Sequence, residues 1–321
     1  MERDEPRRPA GLLGHSEAMR GVLSLLDRIR RTEVPVLLQG ESGTGKERVA
    51  RAIHAQSPRG SGPFVSVHCA AFAESLLAAE LFGHVRGAFT GAVEDRPGLF
   101  DAAHGGTLFL DEVADMSERM QALLLRALQD GEIRRVGGRE VLTVDVRIVS
   151  ATHKNLREAV AAGHFREDLF YRLNVIQVDL PPLRQRVEDF PLLVEEILDA
   201  ISRETGKPPL EVAPSALERL ARYPWPGTIR ELENEIRRAA TFSNGSIGAE
   251  DLTGTIREHR PDGTILSDMK GTTLREAVEQ LERVLILEAL DATHGNKTAA
   301  AKRLGLSWPG LQKKMRRYGM L

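Results

Sequence analysis

The stretch Gly40-Glu41-Ser42-Gly43-Thr44-Gly45-Lys46-Glu47 constrains this chain more than any other. It fits G-x-x-x-x-G-K, with Glu47 where Ser or Thr is usual. The apolar run Val34-Pro35-Val36-Leu37-Leu38 before it reads as a buried strand, and Glu47 to Gln56 after it as a helix. Strand, glycine-rich loop and helix N-terminus bring backbone N–H groups, the helix's partial positive charge and the Lys46 ammonium to one point, as a phosphate requires. A Gly-rich turn with a solvated lysine is the plainer alternative, and the flanking strand and helix weigh against it. Position 47 lacks a hydroxyl, so Mg²⁺ beside the phosphates would draw on Thr44, water or acids further along.

Such acids follow. Gly105 to Leu110 reads as an apolar strand running into Asp111-Glu112. In parallel α/β sheets, ligands bind beyond the carboxyl ends of the strands. Asp111 could hold Mg²⁺ there, directly or through water, and Glu112 could polarise a water for attack on a γ-phosphate. Pro63 to Val67, Val146 to Ala151 and Val175 to Val178 read as further strands. The polar pair Thr152-His153 either faces the nucleotide or simply ends its strand. Helices are expected over Ser16–Arg31, Glu74–Leu81 and Glu118–Gln129. Glu132–Val136 and Glu140–Val144 flank Gly137-Gly138 as a hairpin. The fold class expected is α/β, a P-loop ATPase domain with a parallel sheet and flanking helices. Within it, Gly83 to Ala92 is too rich in glycine for a settled helix. It reads as a mobile loop with Phe89 and Thr90 at its tip, unless Phe89 folds back into the core.

After Pro181-Pro182 the pattern becomes helical: Glu188–Arg203, Pro214–Arg222 and Gly227–Phe242. Thr253 to Lys270 is polar and reads as a linker. The net charge of −2 is uneven, because seven of the 44 Lys and Arg, and no acid, lie between His294 and Leu321. A basic end on an acidic body suggests nucleic-acid binding. A long helix, Leu274–Leu290, opens this segment. Asn296 is placed to cap a helix from Lys297 to Leu304, and Gly305 to turn the chain. Ser307 would cap a last helix from Trp308 to Tyr318, with Pro309 tolerated in its first turn. That is a helix-turn-helix, whose second helix would enter the major groove with Trp308, Gln312, Lys313, Lys314, Arg316 and Arg317. A solvated basic helix is the alternative.

The chain has 321 residues, room for two domains and a small third. No run approaches the ~18 apolar residues of a membrane span. Met1 to Pro9 lacks the apolar centre of a signal peptide. The single cysteine, Cys69, sits among small apolar neighbours and suits a reducing cytoplasm.

Together these motifs resemble the bacterial enhancer-binding proteins, the AAA+ activators of sigma-54 RNA polymerase, over Gly11 to Leu321. Gly87-Ala88-Phe89-Thr90-Gly91-Ala92 is the most specific element; in that family this loop touches sigma-54. The resemblance implies that Gly40 to Glu47 is Walker A, where Glu is common at the last position, and that Asp111-Glu112 is Walker B. It puts Thr152-His153 at sensor I and makes Arg166 and Arg172 the two candidate arginine fingers acting on a neighbour's ATP. Trp225 to Leu232 matches sensor II, with Arg230 reaching the phosphates, and the last segment looks like a Fis-type DNA-binding domain. The chain departs from the family pattern at His68 and His153, where Asn is usual, at Thr228, also usually Asn, and at Val85, usually an acid. In many members the Asn at position 68 holds the Walker B glutamate between active and resting poses. Trp308 and Pro309 are unusual in the last helix.

The expected domains are a tail (1–10), the ATPase (11–180), a helical lid (181–252), a linker (253–271) and the DNA-binding domain (272–321). The expected cofactors are ATP and Mg²⁺. The expected partners are sigma-54 holoenzyme, enhancer DNA and further copies in a hexameric ring, with no membrane. About ten residues precede Gly11, too few for a regulatory domain, so control by a regulator in trans or through abundance is expected unless the chain is a fragment. A AAA+ remodeller of another kind, or a DNA-binding regulator with a vestigial ATPase, are the competing readings.

Overall fold

Five of the apolar runs pair side by side in the computed structural model of the chain. It describes every residue except 1–11, 13, 244, 260–272, 292, 294, 295, 319 and 321. The strands are β1 (Val36–Gln39), β2 (Phe64–His68), β3 (Thr107–Asp111), β6 (Arg147–Thr152) and β7 (Ile176–Asp179), all parallel in the order β2-β3-β6-β1-β7. Between β3 and β6 lies a separate two-stranded pairing of β4 (Glu132–Ile133) and β5 (Leu142–Thr143).

Both faces of the main sheet are covered, as parallel strands require. Alternation along β1 sends Leu37 to one face and Val36 and Leu38 to the other. The Leu37 face packs α3 (Glu74–Phe82), the single-turn α4 (Leu99–Ala102), α5 (Glu118–Asp130), α6 (Leu156–Ala161) and α7 (Glu167–Leu173). The opposite face packs α1 (Glu17–Ile29) and α2 (Lys46–Ala55). Each Leu, Ile or Val fully buried in these layers contributes about 1.5–3 kcal/mol, so the two cores fix the strand ends at one edge. Ser16 caps α1 as expected, accepting from the Met19 amide at 3.2 Å. Asp189 in turn ties Ser16 down, accepting from its amide at 2.8 Å and its hydroxyl at 2.7 Å.

The hairpin read over 132–144 is shorter than its pattern, because residues beyond Ile133 give their hydrogen bonds elsewhere. The Val136 carbonyl accepts from the Val85 amide at 3.1 Å, and the Val136 amide donates to Gly83 at 2.8 Å. The segment is thereby stitched to the stem of the 83–92 loop.

The lid is built from α8 (Phe190–Thr205), α9 (Pro214–Arg222) and α10 (Thr228–Phe242), with a small parallel pairing of β8 (Glu211–Val212) and β9 (Ser246–Ile247) that the sequence did not suggest. It continues past Thr253, where a linker was expected. Gly254–Arg257 forms a short helix, α11, and its Ile256 is buried in the lid core. Four residues are too few to show helical periodicity, which is why the polar composition misled. The rest of the expected linker from residue 260, and the expected tail, lie outside the described residues.

The chain divides into two compact units, the first ending at Arg257 and the second starting at Glu258. In the second, α12 (Leu274–Asp291), α13 (Lys297–Arg303) and α14 (Trp308–Arg317) enclose a small core that includes Ile286, Ala300, Leu311 and Met315. Asn296 and Ser307 cap α13 and α14 through their side chains, and Gly305 takes φ 65° at the turn.

Candidate functional site

The sheet register brings the expected motifs to one edge. β1 ends at Gln39, opposite Thr152 of β6, and the Gly40 amide donates to the Thr152 carbonyl at 3.2 Å. β2 and β3 end with His68 opposite Asp111. The loop after β1 needs its glycines: Gly43 and Gly45 have φ of 80° and 94°, left-handed values that side chains resist. A Cβ on Gly43 would also lie 2.4 Å from the Thr228 hydroxyl.

Lys46 begins α2 and is buried. Its ammonium donates to the carbonyls of Gly40 (2.9 Å) and Glu41 (3.3 Å) and lies 3.3 Å from Glu112 Oε1. Glu112 has φ 55° and ψ 51°, a left-handed backbone uncommon for a non-glycine residue. Its other oxygen, Oε2, accepts from the His153 amide at 3.0 Å and faces His153 Nδ1 at 2.7 Å. Burial opposes ionisation of Glu112, but the His153 amide, the imidazole and the Lys46 charge outweigh it and hold the carboxyl below its ordinary value. His68, the position expected to engage the glutamate, instead lies 3.2 Å from Asp111 Oδ2. His153 and Glu112 meet because β6 and β3 are sheet neighbours.

The groups available to a metal narrow accordingly. Glu47 points away from the loop into an ion pair with Arg51 at 2.7 Å. The Thr44 hydroxyl is engaged with the Glu41 carbonyl at 2.9 Å. Asp111 remains half-buried at the strand end, a hard oxygen donor of the kind Mg²⁺ takes. The residues therefore fit a water-mediated metal held from Asp111.

The lid grips the phosphate loop directly. The Thr228 hydroxyl donates to the Ser42 carbonyl at 2.8 Å, the Ile229 amide donates to the Gly43 carbonyl at 3.1 Å, and Arg184 pairs with Glu41 through both oxygens. Thr228 holds φ 60°, a rare value for a β-branched residue and one that Asn tolerates better. Ser42 lines the same open cleft as the exposed Arg230. Arg186, buried, closes an apolar pocket lined by Leu12, Met19, Val49, Leu180 and Ile229. Sequence reading missed Arg186; its only signal was the charged run Arg184 to Asp189 following Pro181-Pro182.

Arg166 and Arg172 are not on one continuous helix, because α7 starts at Glu167 and Arg166 stands at its N-cap position. Arg166 forms a bidentate pair with Asp168 at 2.8 and 3.1 Å. Arg172 donates twice to the Leu128 carbonyl, at 2.9 and 2.7 Å, in the last turn of α5.

The Gly87–Ala92 loop is closed at its base. The Gly87 amide donates to the Ala92 carbonyl at 2.9 Å, and His84 pairs with Arg96 beneath. Gly87 and Gly91, at φ 81° and 105°, supply the turns. Phe89 does not enter the core. It stays 41% exposed with its ring against His84, and Thr90 is exposed beside it. Val85 sits where a Cβ on Gly137 or Gly138 would touch it.

On α14 the four expected DNA-binding cations separate. Lys314 pairs with Glu282 of α12 at 2.6 Å, and Arg317 approaches Glu279 at 3.9 Å. Lys313 and Arg316 are exposed and carry no ion pair among the described residues, and Trp308 at the start of α14 is exposed as well. Gln312 is half-buried between.

Comparison with known proteins agrees with this arrangement. The chain matches the Sigma-54 interaction domain over residues 12–179, the AAA+ ATPase lid domain over 184–267 and the bacterial regulatory protein, Fis family, over 277–318. It is 47% identical over 310 residues to response regulator protein PilR of Pseudomonas aeruginosa, covering 96% of this chain and 70% of that protein. It is 46% identical over 319 residues to transcriptional regulatory protein ZraR of Klebsiella oxytoca, covering 98% and 70%. A crystal structure of NtrX from Brucella abortus in complex with ATP aligns with TM-score 0.70 and 37% identity, covering 97% of this chain and 70% of that one. A glycine-rich loop with a buried lysine, a lid clasping it and a Fis-type end, within matches of this extent, make the chain a member of the sigma-54-dependent transcriptional activators, an enhancer-binding AAA+ ATPase with a Fis-type DNA-binding domain.

Proposed function

We propose that this activator hydrolyses ATP with Mg²⁺, as a hexameric ring in the cytoplasm, to convert the closed complex of sigma-54 RNA polymerase into an open one. One observation carries this reading: a loop with Phe89 and Thr90 exposed at its tip is hydrogen-bonded through its stem to the segment leading into β6, whose end holds Glu112. ATP would draw Lys46 from the Gly40 and Glu41 carbonyls onto its β- and γ-phosphates. Asp111 would hold Mg²⁺, which when bound neutralises charge on those phosphates. Glu112 would orient the attacking water, with Arg230 of the lid and Arg166 or Arg172 of a neighbour completing the charge around the γ-phosphate. Met19, Leu180 and Ile229, beside the phosphate loop, would flank the base once the narrow pocket they line opens.

Arginines acting on an adjacent subunit need a head-to-tail interface, and such an interface can close into a ring. A regulator acting in trans remains part of this reading, as does the division into tail, ATPase, lid, linker and DNA-binding domain, with the lid carried on to Arg257. Phe89 offers an aromatic surface that gains most when a partner covers it. The test is Phe89→Ala and Thr90→Ala in full-length protein. ATPase activity and DNA binding stay near wild type, while capture of sigma-54 with an ATP transition-state analogue and open-complex formation are lost. Promoter opening by Phe89→Ala would remove the loop as the output.

A further inference from the structure

We propose that His153 is the positioning residue for Glu112, holding one carboxylate oxygen while the other changes partners when nucleotide arrives. The proposal rests on the assignment of Glu112 as the water-orienting group. Its basis is how the two oxygens are shared. Oε2 takes both the amide and the imidazole of His153, at 3.0 and 2.7 Å. Among the described residues, Oε1 meets only the Lys46 ammonium, at 3.3 Å. Lys46 is the group a bound phosphate would claim. Its departure frees Oε1 and leaves Oε2 anchored, so the carboxylate turns its one unoccupied oxygen toward the space Lys46 had neutralised.

The anchor is needed because of the backbone. Glu112 sits in a left-handed conformation directly after the last residue of β3, at the N-cap position of the 3₁₀ turn Val113–Asp115, and its side chain makes no capping hydrogen bond to that turn. Without His153, the side chain would keep its rotamer freedom once Lys46 left. The imidazole faces a carboxylate through Nδ1, so Nδ1 carries the hydrogen. His68, across the sheet at Asp111, is not within this arrangement and cannot substitute. The His153 side chain is 43% exposed, so replacing it removes a contact rather than a piece of core.

The side-chain nitrogen of Asn stands the same number of bonds from Cβ as imidazole Nδ1, whereas that of Gln stands one further. The experiment compares His153→Ala, His153→Asn and His153→Gln in the full chain, with Glu112→Gln alongside. Misplacing a reacting group by about 1 Å costs on the order of 100-fold, so His153→Ala and His153→Gln lower kcat by about 10- to 100-fold. His153→Asn restores most of it. The affinity for a fluorescent, non-hydrolysable ATP analogue stays within about threefold in all of them, since Glu112 meets water rather than phosphate. A second reading needs no turnover: in nucleotide-free protein labelled with ¹⁵N-histidine, the Nδ1 signal of His153 moves in Glu112→Ala. Wild-type kcat in His153→Ala, an Asn variant as slow as Ala, nucleotide affinity falling in step with kcat, or an unmoved Nδ1 signal each overturn the proposal. Unimpaired turnover in Glu112→Gln would instead overturn the base assignment beneath it.

Discussion

The division of cations on α14 predicts that neutral substitutions at adjacent positions have different consequences. Each phosphate neutralised by a Lys or Arg adds about 0.9 to the slope of log affinity against log salt on duplex DNA. Lys313 and Arg316 are free to meet phosphates, whereas Lys314 already has Glu282 at 2.6 Å, and the Tyr318 hydroxyl donates to the same carboxylate at 2.5 Å. Lys314 and then Tyr318 hold the Glu282 carboxyl below its ordinary value, as expected of a structural pair. Lys313→Ala or Arg316→Ala should therefore reduce the slope by about 0.9 per domain in contact. Over a fourfold change in salt, 50 to 200 mM, that weakens the salt dependence by about three- to fourfold per domain. Lys314→Ala should leave the slope unchanged. It should instead destabilise the C-terminal unit by up to about 1 kcal/mol, the range of a partly exposed ion pair. Fluorescence anisotropy of a non-specific duplex titrated with full-length protein measures the slopes, and thermal melting measures the stability. Equal loss of slope in Lys313→Ala and Lys314→Ala, or none in Lys313→Ala, would refute this division.

Further outcomes follow from the first unit. Arg172→Ala should lower stability by about 1 kcal/mol, because the Leu128 carbonyl at the end of α5 loses both its donors; Arg166→Ala, losing an exposed pair with Asp168, should not, and calorimetry separates them. If Arg166 completes a neighbour's site, mixing Arg166→Ala with Lys46→Ala subunits regains ATPase activity, and mixtures that never exceed the separate mutants count against it. Glu235, buried, accepts from Thr253 through amide and hydroxyl and pairs with Arg238. Burial works against its charge, but these partners prevail and depress its pKa. Its contribution is thus present above the ordinary value of 4.5 and fades as pH falls through the lower folded value. Glu235→Gln should cost about 1.5–3 kcal/mol at neutral pH and flatten the acid limb of the stability curve; an unchanged limb argues against it. Burial, with Asp111 nearby, pushes the Cys69 thiol up to about 12, so a disulfide reagent at pH 8 should label it only after unfolding.

How much was legible in the sequence depended on the range of the interaction. Local patterns were sufficient for the glycine-rich loop, the strand ending in Asp111-Glu112, the caps Ser16, Asn296 and Ser307, and the turn at Gly305. Each depends on a backbone preference or a side chain reaching three residues along. The motif Gly87–Ala92 was visible for the same reason. Tertiary structure alone decided that His153, not His68, meets Glu112, since that follows from β6 lying beside β3 and from the left-handed backbone at Glu112. It decided that Lys314 faces inward and Lys313 outward, because rotation about α14 is set by packing Leu311 and Met315 against α12 and α13. It also carried the lid past Thr253, where Ile256 is buried by partners distant in sequence. Spacing determined which groups the chain possesses. Packing between distant segments determined which of them meet, because a hydrogen bond over 3 Å is blind to separation along the chain.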